Sequence, residues 1–118
     1  MRFTFPKNEK LKSQKTIGSL FSEGKGLNQF PLRMLYLKMD GQECIKAGFS
    51  VPKKNFKQAV ARNRLKRLMR EAYRLHKNKL KPNNGGNFAL LFLYIGREEC
   101  DFGEIENAMI TLLNRLPE

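Results

Sequence analysis

Three segments of the chain have the apolar patterns of β-strands. Residues 32–39 and 45–51 alternate, so that every second side chain falls on the same side. Residues 88–95 (FALLFLYI) are apolar on both sides, which favours a central strand that is covered from two directions. Asp40-Gly41 predicts a turn after the first segment, and Pro82 with the following NNGG predicts another before the third.

Three other segments have the patterns of helices. Residues 13–22 predict a short helix, with Ser13 at its N-cap and Gly24 just past its end. A long helix is predicted to begin between residues 55 and 58 and to run to about Lys79. A final helix begins at Asp101, whose spacing to Glu104 is that of a capping box. Its apolar positions are expected in the core: Ile105, Met109, Leu112, Leu113 and Leu116.

These elements predict one domain, residues 1–118, of the α+β class (an α/β sandwich). It combines a small mixed sheet of about four strands with an N-terminal helix, a long basic helix and a C-terminal helix. The segment EGKGLNQFP, between the first helix and the first predicted strand, is expected to be a loop. With 118 residues, 41% of them hydrophobic, the chain is long enough for one packed core.

The long helix is predicted to have two opposed faces. At about 100° per residue, the apolar positions fall within an arc of about 120° and the cations within an opposite arc of about 100°. The apolar arc comprises Ala61, Leu65, Leu68, Met69, Ala72 and Leu75. The cationic arc comprises Lys66, Arg67, Arg70, Arg74 and Lys77. One face is therefore expected to pack on the sheet, while the other presents a basic ridge.

The net charge of the chain is concentrated around this helix. Residues 53–81 contain twelve Lys or Arg and one acid, a balance of +11, whereas residues 82–118 have a balance of −4. Because Glu71 is the single acid of the basic segment, helical ion pairing does not account for its charges. A solvated helix, an anionic membrane and an acidic protein are alternative explanations. The preponderance of arginine favours nucleic-acid phosphates.

Two features extend the predicted binding surface. Lys53 and Lys54 continue it into the loop before the helix, and Asn63 contacts a phosphate or a base, or else faces solvent. A groove over the sheet is also predicted, with aromatic and apolar walls and a cationic rim that suit single-stranded nucleic acid. It would be formed by Ile17, Phe21, Met34, Tyr36 and Ser50, with Lys12, Lys15 and Lys53 on the rim. The alternative is that Phe21 and Tyr36 close the core.

The sequence predicts no catalytic centre made of protein residues alone. His76 is the only histidine, and there is no nucleophile–base set, zinc-ligand spacing or phosphate-binding glycine loop. The acids of residues 98–106 are interpreted as charges favoured at the start of a helix. Cys44 and Cys100 are expected to be free thiols in a reducing cytoplasm, and the longest apolar run is too short to span a bilayer. We expect a cytoplasmic protein with no membrane partner.

The residues GFSVPKK (48–54) followed by ARNRLKRLMRE (61–71) resemble the signature region of the protein subunit of bacterial ribonuclease P. The likeness extends to LKSQKTIGSLFSEG (11–24), which is similar to the opening helix and glycine of that family. The order of the later elements also fits, so the resemblance covers most of the chain. It implies an accessory protein of a ribonucleoprotein enzyme, in which the RNA subunit removes the 5′ leader from precursor tRNA.

This resemblance implies partners and sites. The partners are the catalytic RNA subunit and precursor tRNA, with one protein monomer per RNA. Mg²⁺ is bound mainly by the RNA and the substrate, and the protein alone has no catalytic residue and no metal ligand. With Arg74 from the basic ridge, the RNA-facing residues are Lys53, Lys54, Arg62, Asn63, Arg64, Lys66, Arg67, Arg70 and Arg74. The leader-binding cleft comprises Lys12, Ile17, Phe21, Tyr36 and Ser50.

Two further points concern the expected cleft and the expected fold. Ile17 stands where many members carry phenylalanine, so it offers apolar contact but no ring for base stacking. The family fold also contains a left-handed βαβ crossover, against the usual right-handed preference. Another basic RNA-binding protein, such as a ribosomal protein, is the alternative function, and a stand-alone metal nuclease is the alternative enzyme.

Overall fold

The structure, a computed structural model, describes residues 10–38, 45–77 and 88–116, which form three helices and four strands. In chain order they are α1 (Gln14–Glu23), β1 (Lys25–Gln29), β2 (Leu32–Lys38), β3 (Lys46–Ser50), α2 (Ala59–His76), β4 (Phe88–Tyr94) and α3 (Phe102–Arg115). The predicted α+β class is confirmed. The turns predicted at Asp40-Gly41 and at NNGG, the end of the long helix near Lys79, and Cys44 all lie outside the described residues.

The four strands form one mixed sheet in the order β1-β2-β4-β3. β2 pairs antiparallel with both β1 and β4, whereas β3 pairs parallel with β4, from Lys46 opposite Ala89 to Ser50 opposite Leu93. Because α2 joins the two parallel strands, β3, α2 and β4 form a βαβ unit. The left hand of this crossover stays a prediction. β4 has a neighbour on each side, as its apolar sequence predicts.

The two faces of the sheet are covered unequally. α2 and α3 close one face over a core that includes Met34, Phe92 and Tyr94, all at most 1% exposed. α1 packs on the other face above β2 and β4, where Leu20 lies against inward side chains such as Leu91. We call these the closed face and the open face.

The residues of α2 that enter the core are Leu65, Met69, Ala72 and Tyr73. Tyr73 was not among the predicted core residues, and its ring packs against Phe92 at 5.6 Å and Phe49 at 5.9 Å between centroids. Ala61, Leu68 and Leu75 are only half-buried. The core-facing side of the helix is therefore rotated towards Tyr73, because burying its large ring removes more apolar area from water than burying an alanine.

Side-chain caps start two of the helices as predicted. The Ser13 hydroxyl accepts a hydrogen bond from the backbone N–H of Thr16 at 3.2 Å, and the Asp101 carboxylate accepts one from the N–H of Glu104 at 3.0 Å. All five residues predicted to face the core from α3 are buried. The expectation of a loop at residues 25–29 was wrong. This segment, KGLNQ, forms β1 by pairing along β2, although it has one large apolar residue and no strong alternation of its own.

Candidate nucleic-acid interface

The loop between β3 and α2 is anchored on both sides, and it carries Lys53 and Lys54 on its exposed surface. The carbonyl of Pro52 accepts hydrogen bonds from the backbone N–H groups of Asn55 and Phe56, both at 3.3 Å. The Phe56 side chain is buried, with its ring 5.6 Å from that of Tyr94. These contacts fix the backbone that presents the two lysines.

Arg62 has a structural role within this arrangement. Its guanidinium donates hydrogen bonds to the backbone carbonyls of Phe56 and Lys57, both at 2.8 Å. The sequence indicated only an RNA-facing position for Arg62. The contacts show that Arg62 ties the first turn of α2 to the preceding loop. Its contact with RNA stays a prediction.

Two further arginines of α2 have acidic partners. Arg64 donates to Glu99 at 2.7 Å, which links α2 to the segment before α3. Arg74 forms an ion pair with Glu71, one turn away. The hydrogen bonds from Arg74 lower the pKa of the Glu71 carboxyl, and those to Glu71 raise the pKa of the Arg74 guanidinium. The predicted RNA-facing surface is therefore partly neutralised at Arg64 and at Arg74.

The remaining cations of the interface form no ion pair with the described part of the chain. They comprise Lys53, Lys54, Lys66, Arg67 and Arg70. Arg67 and Arg70 are exposed on α2, and Asn63 is exposed on the same helix. We call Lys53, Lys54, Lys66, Arg67 and Arg70 the unpaired cations. Such cations gain most from an external polyanion, because no acid among the described residues forms an ion pair with them.

Two pockets lie next to β3. The edge pocket, of about 230 Å³, is bounded by Lys12, the backbone around Gly48, and Arg70 of α2. Residues 10 and 11 run beside β3 here, where the Leu11 N–H donates to the carbonyl of Ala47 at 2.9 Å. The end pocket, of about 490 Å³, lies at the carboxyl end of β3 and is lined by Phe21 and Ser50 among others.

Some residues of the predicted groove therefore lie together. The structure brings Phe21 together with Ser50, and Lys12 together with Arg70. Ile17 is half-buried on the open face, where it packs in the same cluster as Leu20. Phe21, by contrast, is 61% exposed, which leaves its ring free for a ligand.

The prediction that Tyr36 and Met34 share this groove was wrong. Both side chains point to the closed face, and Met34 is fully buried there. The ring of Tyr36 packs edge-on against Phe88, with centroids 6.2 Å apart. The reason is the period-2 geometry of the strand, since on β2 it is Leu35 and Leu37 that share a face with α1.

The residues of the end pocket that were not predicted as site residues include Asn55, Ile95 and Arg97. They come from the loop after β3 and from the end of β4, two segments that are distant in sequence. Parallel pairing of β3 with β4 brings these two carboxyl ends together. The one local sequence feature that could have indicated these site residues is Ile95 followed by Gly96 and Arg97. It does not distinguish a pocket from an ordinary strand end.

Most of the acidic residues near α3 have structural partners. Glu106 is 2.9 Å from the Nε2 atom of His76, which joins α2 to α3, and Asp101 caps α3. The Tyr94 hydroxyl donates to the carbonyl of Glu98 at 2.6 Å and lies 3.3 Å from the Cys100 sulfur, and burial raises the pKa of both the Tyr94 hydroxyl and the Cys100 thiol. Cys100 is a free thiol.

Within residues 10–38, 45–77 and 88–116, no group of three or more His, Cys, Asp or Glu side chains is arranged to hold a metal ion. The same ranges contain no helix with the length and apolar character needed to cross a membrane.

The fold and the interface define a small α+β protein with a cationic surface formed by one helix and the loop before it. The profile of the ribonuclease P family matches residues 5–117. The ribonuclease P protein component of Porphyromonas gingivalis is 36% identical over 119 residues, which cover 97% of this chain and 87% of that protein. That of Chlorobium phaeobacteroides is 38% identical over 103 residues, covering 76% and 70%. The chain belongs to the ribonuclease P protein family.

Solved structures agree with this assignment. The ribonuclease P protein of Thermotoga maritima superposes with a TM-score of 0.77 at 26% identity, covering 93% of this chain and 99% of the other. The Staphylococcus aureus protein has the same fold, with a TM-score of 0.74 at 19% identity and coverage of 89% and 92%. The resemblance noted in the sequence is thereby confirmed.

Proposed function

We propose that this chain is the RNA-binding protein subunit of ribonuclease P, which assists the catalytic RNA subunit in removing the 5′ leader from precursor tRNA. In this proposal one protein monomer binds one RNA subunit in the cytoplasm. The observation that carries it is the juxtaposition of the unpaired cations with an exposed aromatic pocket, in a chain of the ribonuclease P protein family. The first feature suits phosphates, and the second suits unstacked bases.

The unpaired cations are proposed to bind the RNA subunit. Arg67 and Arg70 lie one turn apart along the exposed side of α2, and a guanidinium can donate two parallel hydrogen bonds to one phosphate. Lys53 and Lys54 extend the same surface through the anchored loop. Arg62 contributes mainly by holding that loop. Arg64 and Arg74 contribute less to RNA binding, because Glu99 and Glu71 partly neutralise their charges.

The leader is proposed to run beside β3, from the edge pocket to the end pocket. Gly48 and Ser50, which mark the two pockets, are two residues apart, a distance of about 7 Å along a strand. Lys12 would contact a phosphate at one end, and Phe21 would stack on a base at the other. Ile17 would contribute only to the apolar support beneath α1.

Mg²⁺ is proposed to be bound by the RNA subunit and the substrate. Four carboxylates of the described residues support that view, because Glu71, Glu99, Asp101 and Glu106 already have partners in the fold. The protein would favour metal binding indirectly. Its cations lower the electrostatic cost of bringing leader phosphates towards the RNA, so that fewer cations from solution are needed.

A reconstituted cleavage assay tests the proposal. The purified protein alone should leave precursor tRNA intact, whereas adding it to its cognate RNA subunit at low Mg²⁺ should increase cleavage at the 5′ end. The RNA-bound protein should also favour precursor over mature tRNA. A lack of stimulation would refute the proposal. Stimulation without preference for a leader would instead favour a general basic RNA-binding protein, such as a ribosomal protein.

A further inference from the structure

The edge strand β1 brings two arginines together at one residue, Asn28. Arg33, on β2, donates a hydrogen bond from its Nη1 atom to the side-chain oxygen Oδ1 of Asn28 at 2.6 Å. Arg115, the last residue of α3, donates from its own Nη1 atom to the backbone carbonyl of Asn28 at 3.1 Å. Asn28 therefore holds two guanidinium groups that come from different elements of the fold. We call Arg33 and Arg115 the arginine pair.

Gly26 makes room for one of these groups. It lies two residues before Asn28 on β1, so both positions are on the same side of the strand as Arg33 of the neighbouring strand. A methyl group at Gly26 would lie 2.7 Å from the Cζ atom of Arg33, which is closer than carbon atoms approach in ordinary contact. The lack of a side chain at Gly26 thus lets the Arg33 guanidinium lie across β1 and reach Asn28.

The charges of the arginine pair are not neutralised by the described part of the chain. Both acceptors on Asn28 are uncharged oxygens, and neither arginine forms an ion pair within residues 10–38, 45–77 and 88–116. Arg115 is exposed and Arg33 is half-buried. Because a guanidinium has five N–H donors, each arginine retains donors for a further acceptor. Two cations held at one residue repel each other, and a bound anion relieves that repulsion.

The arginine pair is separate from the binding surface described above. Strand pairing places Asn28, Arg33, Leu93 and Ser50 in one row across the sheet, from β1 to β3. Neighbouring strands are about 4.8 Å apart, so β1 lies about 14 Å from β3. Neither arginine lines the edge pocket or the end pocket. An anion at the arginine pair is therefore bound independently of α2 and of the pockets next to β3.

We propose that the arginine pair is a second phosphate-binding site for RNA, with Asn28 as the residue that positions both guanidinium groups. This inference rests on the proposed function, which supplies RNA as the ligand, and it adds a contact at the opposite edge of the sheet. Guanidinium groups bind phosphate oxygens through parallel N–H donors, and groups that are already positioned lose less side-chain freedom on binding. The phosphate belongs either to the RNA subunit or to precursor tRNA, and the experiment separates these two sources.

Salt-dependent binding of the variants to the two RNAs tests the site. In the first arm, the protein binds the RNA subunit alone over a range of KCl concentrations. In the second, precursor tRNA binds to holoenzyme assembled at saturating RNA subunit. Arg33→Ala and Arg115→Ala should each flatten the log–log slope by roughly one unit, in the arm whose RNA supplies the phosphate. Lys38→Ala removes an exposed cation from the far end of β2 and, as the matched control, should leave both slopes close to wild type.

Asn28→Asp tests the positioning role with almost no change of side-chain shape. The new carboxylate should pair with Arg33 and compete with the phosphate, so binding of the responsive RNA should weaken by about fivefold. The free energy of unfolding, measured with urea, should be unchanged or higher. If the contacts of Asn28 only stabilised the fold, RNA binding would not weaken. Asn107→Asp adds the same charge at an exposed position of α3 and is the control for net charge.

Failure of this inference is distinguishable from failure of the proposed function. If the wild-type protein does not stimulate cleavage by its RNA subunit at low Mg²⁺, the proposed function fails. If it does stimulate cleavage, but Arg33→Ala, Arg115→Ala and Asn28→Asp match the wild type in both arms, the RNA-binding function stands and the second phosphate site is overturned.

Discussion

The closed and open faces of the sheet are built from the same strands but have different properties. On β4, Phe92 points to the closed face and is fully buried, whereas its neighbour Leu93 points to the open face and lines the end pocket. On β3, Phe49 packs on Phe92, while Ser50 borders that pocket. Strand alternation therefore separates the residues that stabilise the fold from those available for binding. Successive side chains of one strand point in turn to the closed core and to the open face.

The largest expected effect concerns stability and compares Phe92→Ala with Leu93→Ala. Phe92→Ala should lower the free energy of unfolding by about 3–5 kcal/mol, because it leaves a cavity beneath Tyr73 and Phe49. Leu93→Ala should cost about 1 kcal/mol, since its side chain is only half-buried. Urea unfolding followed by circular dichroism measures both values. Equal losses would show that the two faces contribute alike to the core.

The next effect concerns leader recognition and compares two exposed phenylalanines. Phe21→Ala should reduce discrimination between precursor and mature tRNA by about tenfold, the loss of one base–aromatic stack. Phe30 is 70% exposed but does not line the end pocket, so Phe30→Ala should leave discrimination unchanged. Competition binding to the protein–RNA complex measures the ratio. A similar loss in both variants would argue against a localised stacking site.

A smaller effect concerns charge. It tests whether the RNA-binding surface includes the exposed side of α2 as well as the pockets next to β3. Arg67→Ala and Arg70→Ala should each weaken binding to the RNA subunit and flatten its salt dependence, by roughly one unit of log–log slope per lost phosphate contact. Arg64→Ala should change the slope less, because Arg64 is paired with Glu99 at 2.7 Å. Equilibrium binding over a range of KCl concentrations gives the slopes. Unchanged slopes for Arg67 and Arg70 would exclude this side of α2 from the interface.

The smallest effect compares the caps of the two terminal helices. Asp101→Ala should lower global stability by about 1 kcal/mol, because α3 is part of the closed core. Ser13→Ala removes an equivalent hydrogen bond, but α1 buries only Leu20 fully, so its loss should appear mainly as fraying of α1. Urea unfolding measures the first, and amide hydrogen exchange in α1 the second. A large global loss from Ser13→Ala would show that α1 is as integral to the core as α3.

Much of the fold was predictable because local patterns agree with the tertiary structure. The caps at Ser13 and Asp101, the core side of α3 and the central position of β4 all follow from residue type and periodicity. β1 was not predicted, because an edge strand with sequence KGLNQ is stabilised by pairing with β2 rather than by its own propensity.

The candidate site was predictable only in outline. The basic surface of α2 was identified from charge and periodicity, but these signals do not distinguish Arg64, which meets Glu99 from 35 residues away, from Arg67, which has no ion-pair partner in the described ranges. The alternation of β2 correctly separated Tyr36 from Leu35, yet it did not say which side carries α1. Tyr36 was therefore assigned to the wrong face.

By itself, the sequence determined the family, the elements with strong periodicity and the helix that carries the cations, because these depend on residue type and spacing along one segment. Tertiary structure alone decided which cations are paired, which face of the sheet stays open and how Phe21, Asn55 and Arg97 meet at the end pocket. The physical reason is that ion pairs and pockets form between segments distant in sequence, and only the pairing of β3 with β4 and the docking of helices on the sheet bring those segments within contact distance.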